Sequence, residues 1–126
     1  MREIEFRGQN INGHWAHGNL AIIKEKLDRA EIGAYISNSA GAPFAYQVRP
    51  ETVGQYTGLK DKNGKKIFEG DVGWDEHNEC YGVVKFEEGK FLYVWENLVE
   101  DLWEVADNIE VIGNIHENPE LLEETE

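Results

Sequence analysis

Cysteine is almost missing from this chain: Cys80 is the only one in 126 residues. An internal disulfide and any cysteine-rich zinc site are thereby excluded, and a reducing, cytoplasmic home is the simplest expectation. Cys80 stands beside Tyr81 at the start of an apolar stretch, which suits a small buried hydrophobe better than a reactive thiol. Basic side chains are the second shortage, with 12 Lys and Arg against 25 Asp and Glu and a net charge of −13. A clamp on duplex DNA needs cations for the phosphates, so nucleic acid is a disfavoured partner. Long apolar runs are lacking as well. Glu3 and Glu5 interrupt the opening MREIEFRGQ, where a signal peptide would carry about 7–15 uninterrupted apolar residues. No segment is long enough to span a bilayer, and no membrane role is expected.

What remains is 40% apolar and 11% aromatic, enough for one real core, and the length fits a single domain over residues 1–126. The charge is divided unevenly. Residues 1–60 carry seven bases and six acids, whereas residues 61–126 carry five bases and nineteen acids.

Period-two alternation dominates. Ile4 and Phe6 alternate with Glu3, Glu5 and Arg7, the pattern of a strand with one wet face. Residues 15–23 (WAHGNLAII) hold one or two more strands, 37–43 (SNSAGAP) reads as loop, and Phe44, Tyr46 and Val48 alternate again. A strand is expected around Val53–Thr57, followed by a tight type I′ turn at Asn63-Gly64. Gly70 precedes a new strand at Asp71–Trp74. Tyr81–Phe86 and Phe91–Trp95 flank a turn at 87–90 as a clear hairpin. Phe91, Tyr93 and Trp95 lie on one face of its second strand, Leu92 and Val94 on the other, which suits a central or barrel strand. The period then changes: Val99, Leu102, Trp103 and Ala106 form one stripe of a helix, with Asn97 as N-cap and Glu100 in the capping-box position. Ile109, Val111, Gly113 and Ile115 suggest a last strand. Asn118-Pro119 opens a short terminal helix carrying Leu121 and Leu122, and EETE should fray. The fold class expected is mainly β (α+β): a small antiparallel β-barrel-like domain with one packed helix and a short C-terminal helix.

Catalytic signatures are also missing. His14 and His17 point to opposite faces if they lie on a strand, and no third ligand is near in sequence. Asp61-Lys62-Asn63-Gly64 fails as a calcium loop, because glycine stands at position 4, Lys65 at 5 and Val72 at 12. Asp71, Asp75, Glu76 and Glu79 could supply paired carboxylates, yet a solvated acidic face is the plainer reading. There is no nucleophile elbow, phosphate loop or dinucleotide fingerprint. No cofactor, metal, catalytic residue or small-molecule substrate is therefore expected, and the chain reads as a non-enzyme. Two charged patches are more informative: Lys60, Lys62, Lys65 and Lys66 around an exposed hairpin tip, and the acidic helix face Glu100, Asp101, Glu104 and Asp107. Opposite patches on one molecule permit head-to-tail association of copies.

Three blocks carry a resemblance. REIEFRG, the central TVGQYTGLKDKNGKKIFEGDV (residues 52–72) and the closing IEVIGNIHENPELL (109–122) resemble the YopX family of bacteriophages and prophages. Gly73-Trp74 departs from the pattern, in which the apolar strand usually continues. The resemblance implies a small β-barrel with an accompanying helix and a tendency to oligomerise, with no catalytic residues to carry over. Within the shared block Asn63-Gly64 makes the turn, Gly58 and Gly70 permit bends, and Tyr56, Ile67, Phe68 and Val72 pack inside. The functional expectation is a phage- or prophage-encoded accessory protein acting through protein–protein contacts, with itself as a homo-oligomer or with a host or phage protein. Two alternatives stand beside it: single-strand nucleic-acid binding through the Lys60–Lys66 tip and exposed aromatics, and an acidic DNA mimic that captures a host protein.

Overall fold

The computed structural model describes residues 4–25, 31–37 and 45–123; 57% of them are strand, and every pairing is antiparallel. The chain divides into two compact units, Met1–Gln55 and Tyr56–Glu126.

In the first unit β1 (Phe6–Gln9), β2 (Trp15–Ile23), β3 (Gly33–Ser37) and β4 (Ala45–Val48) pair each with the next. The other edge of β1 takes Gly54 and Gln55, the first residues of β5 (Gly54–Lys60). Alternation puts Phe6, Ala16 and Leu20 against buried Ala34, Ile36 and Val48. Gly8 is required where β1 meets β4, because a Cβ there would stand 2.7 Å from Val48 Cγ2. The Arg49 amide donates to the Gln9 carbonyl (2.8 Å), and the Gln9 amide donates to Thr52 Oγ1 (2.8 Å). Among the described residues these bonds dock the 49–52 segment on β1 without the ladder that would close a barrel. The 37–43 loop falls, beyond Ser37, outside the described residues, as do Phe44 and residues 124–126. The strand β3 went unread in the sequence, since Gly33–Ser37 is too short to display its alternation.

In the second unit the rest of β5 pairs with β6 (Lys66–Phe68). A five-stranded sheet follows: β7 (Asp71–Asp75), β8 (Cys80–Glu87), β9 (Lys90–Trp95), β10 (Leu98–Asp101) and β11 (Ile109–Asn114), in the order β10-β9-β8-β7-β11. It is an open sheet with β10 and β11 at its edges, so the expected barrel is corrected to two antiparallel sheets. Ile67, Val84, Tyr93, Leu102, Val105, Ala106, Ile109 and Val111 form its core. Tyr56, Phe68 and Val72 are buried too, and the Tyr56 and Phe68 rings lie 5.5 Å apart.

A glycine slot organises that core. Gly73 of β7 and Gly82 of β8 are register partners, and the Tyr93 ring from β9 lies over both. A Cβ at Gly82 would come within 2.4 Å of Tyr93 Cζ, and one at Gly73 within 3.1 Å of Tyr93 Cε1. Two adjacent missing side chains make room for one ring. The departure at Gly73-Trp74 is thus a packing device: Gly73 yields space to Tyr93, while the Trp74 and Tyr81 rings pair at 4.9 Å.

The expected helix shrinks to one turn, α1 (Leu102–Val105), with a 3-10 turn at Ala106–Asn108. Strand pairing wins the residues before it, because a two-residue turn at Glu96-Asn97 returns Leu98–Asp101 along β9. Asn97 is consequently a turn residue and caps nothing, and the Glu100 carboxylate accepts from Trp95 Nε1 (2.8 Å). Leu102, Val105 and Ala106 still face inward at helical spacing, and Trp103 faces out. The short terminal helix is α2 (Glu120–Glu123).

Candidate functional site

The central block folds around one carboxylate. Asp61 is 5% exposed, and its Oδ1 accepts from the amides of Asn63 (2.8 Å) and Lys65 (2.9 Å). Its Oδ2 accepts from the amide of Val111 (2.8 Å) on β11. The Lys62 amide adds a bond to the Ile109 carbonyl (3.1 Å). The turn is not type I′, since Gly64 alone has positive φ, at 81°. Gly64 N–H donates to Asp61 O (3.0 Å) and Asp61 N–H to Lys65 O (2.8 Å), the pattern of a type I turn closed by a left-handed glycine. What reads in the sequence as a free hairpin tip is a loop bound to β11. Asp-x-Asn-Gly is the signal that could have revealed it, because an Asp ahead of a turn commonly accepts the next amides.

Burial pushes the Asp61 carboxyl up, but the amides of Val111, Lys65 and Asn63 and the nearby Lys65 charge outweigh it and hold the pKa below its ordinary 3.8. As pH falls, the unfolded chain therefore takes up this proton before the folded one. The stabilisation is complete above the unfolded carboxylate pKa, about 4, and drains away as pH drops through the folded value. In thermal melts, the gap between the wild type and Asp61→Asn should be constant from about pH 7 to 5 and narrow below about pH 4. A gap independent of pH would refute this role.

The two charged patches are not far apart. Lys62 Nζ lies 3.4 Å from Glu76 Oε2, and Lys62, Glu100 and Asp107 line one open recess of about 620 Å³ together with Asp75, Glu76, His77, Asn78, Val105 and Asn108. Lys60 and Lys65 are exposed outside it. Lys66 is half-buried, its ammonium 5.1 Å from the centre of the Tyr56 ring. Asp101 pairs with Lys90 at 3.5 Å, and Glu104 is exposed. The structure thus brings Lys62, Glu100 and Asp107 together and leaves the other five around them.

Asp71 and Asp75 are buried rather than solvated. Asp71 Oδ2 accepts from the Phe68 amide (2.7 Å). Asp75 Oδ1 accepts from the His77 amide (3.0 Å), and Asp75 Oδ2 from Asn78 Nδ2 (2.8 Å). Both carboxylates are occupied in tying turns, while Glu76 and Glu79 remain exposed. Cys80 is buried; burial first, then the negative charges of Asp75, Glu96 and Glu100, push its thiol pKa up, away from a nucleophilic thiolate. In the first unit, His14, Trp15, His17 and Tyr46 line a smaller recess of about 350 Å³. His17 Nδ1 lies 3.3 Å from Glu5 Oε2, and the Arg7 guanidinium sits 4.8 Å over the Trp15 ring. No group of three His, Cys, Asp or Glu among the described residues is placed to hold a metal ion.

These geometries can be set against known proteins. The crystal structure of protein EF1440 from Enterococcus faecalis matches at a TM-score of 0.61 and 27% identity, over 97% of this chain and 99% of that one. No curated protein matches. The profile described as YopX protein matches residues 5–123. That span takes in β1, the Asp61 turn and β11, which the three blocks of resemblance had singled out, and the chain belongs to the YopX family.

Proposed function

We propose that this chain is a phage- or prophage-encoded, non-enzymatic accessory protein of the bacterial cytoplasm that works through protein–protein contacts and assembles with copies of itself. The observation that carries this reading is where the charge resides. The first unit, Met1–Gln55, has six bases and six acids, so the whole −13 belongs to Tyr56–Glu126. That unit also bears the exposed Lys60 and Lys65, and the exposed Glu104 and Asp107. Complementary exposed charges on one molecule favour contact between copies and set its register. The buried carboxylates are already satisfied by backbone amides, and the thiol is buried, which leaves little for catalysis. No helix among the described residues is long and apolar enough to cross a membrane.

Light scattering on a sizing column tests the assembly. At about 50 mM salt, where surface charges are least screened, the mass should be a multiple of 14.4 kDa. Raising salt to about 1 M should shift it toward the monomer. A mass of 14.4 kDa at every salt and protein concentration would reject self-association.

A further inference from the structure

We propose that β10 and Trp103 form a docking edge for an extended, basic segment of a partner protein, which joins the five-stranded sheet as an added strand. The inference rests on the protein-contact reading above and gives that contact a place and a chemistry.

Three observations converge. First, β10 ends the sheet. Its inner side pairs with β9 from Leu98↔Trp95 to Asp101↔Leu92, and its outer side pairs with no strand among the described residues. Such an edge offers backbone N–H and C=O groups to an incoming strand. Second, the edge exposes large apolar side chains beside its acids. Leu98 is 50% exposed, Val99 59% and Trp103 70%, and Trp103 is the one exposed tryptophan of four. Third, the segment itself has a single sign, although Lys90 pairs with Asp101 and Lys62 shares a recess with Glu100 and Asp107. Residues 96–107 contain Glu96, Glu100, Asp101, Glu104 and Asp107 and no base.

The chemistry that satisfies all three is a strand alternating Arg or Lys with aliphatic residues. Its backbone pairs with β10, its aliphatic side chains cover Val99 on one face of the sheet, and its cations, on the face that Leu98 shares with Glu100, meet Glu100, Asp107 and the ring of Trp103. The β10 of a second copy suits the edge poorly, because it would bring its own Glu100 and Asp101 to an edge that already carries both.

The test uses the full chain and a labelled peptide of about eight residues alternating Arg and Val, followed by anisotropy and by hydrogen exchange. Saturable binding is expected, with slowed exchange at Leu98–Asp101. Trp103→Ala and Val99→Lys change exposed side chains, and each should weaken binding about tenfold or more. A peptide with Glu in place of Arg should not bind. Absence of saturation, unchanged affinity in both variants, or protection elsewhere in the chain would overturn the proposal. Protection of Leu98–Asp101 that grows with protein concentration in the absence of peptide would also overturn it, assigning the edge to a second copy. A salt-dependent mass in light scattering together with no peptide binding would sink this inference and leave the assembly standing.

Discussion

Replacing Asp61 with Ala should cost about 3 kcal/mol of folding stability and lower the melting temperature by roughly 10 °C. One side chain serves three backbone amides, those of Asn63, Lys65 and Val111. The turn amides can turn to water at the exposed loop, but Val111 is itself a buried residue. A buried donor left without an acceptor costs about 1–3 kcal/mol, more than the net gain of an ordinary hydrogen bond. Asp61→Asn retains an acceptor oxygen and should lose roughly half as much. Circular-dichroism melts at neutral pH decide it: a loss below about 1 kcal/mol for Asp61→Ala would mean the carboxylate is not the clamp it resembles.

Gly82→Ala should be about as damaging. The added Cβ would lie 2.4 Å from Tyr93 Cζ, 2.6 Å from Cε2 and 2.7 Å from the hydroxyl. The ring is hemmed in, because it lies over Gly73 on its other margin and packs in the core with Ile67, Val84, Leu102 and Ile109. Overpacking of this kind costs about 3 kcal/mol, the upper part of the usual range. Tyr93 is 1% exposed, so the strain enters the core directly. Pairing Gly82→Ala with Tyr93→Leu should recover part of the loss, since the smaller side chain vacates the contested space. Urea unfolding of the two single variants and the double one reads the coupling; strictly additive losses would show that the clash is relieved some other way.

Much of the strand plan was legible because period-two alternation is a local signal. WAHGNLAII, which reads as one or two strands, is a single strand over the same residues, Trp15–Ile23. The 80–95 hairpin turns at Glu88-Gly89, between Glu87 and its register partner Lys90. The helix was overread for a tertiary reason: Val99, Leu102, Trp103 and Ala106 have helical spacing, but strand pairing with β9 takes the backbone through Asp101 first. The barrel was overread because apolar side chains on both faces of Phe91–Trp95 also suit a strand inside an open sheet. At the candidate site, the residue types were visible but their partners were not. Lys62 and Asp107 meet in one recess only because the Asp61 turn docks on β11. A bond across fifty residues leaves no periodic trace.

That same bond has a kinetic meaning. Asp61 belongs to two scales at once, accepting from amides two and four residues ahead and from one fifty residues ahead. The near contacts close a small loop and can form early, whereas the distant one must wait until β11 has been placed. Once made, it joins the turn and the edge strand into one cooperative opening unit, so exchange of the Val111 amide reports the melting of a hairpin half the chain away.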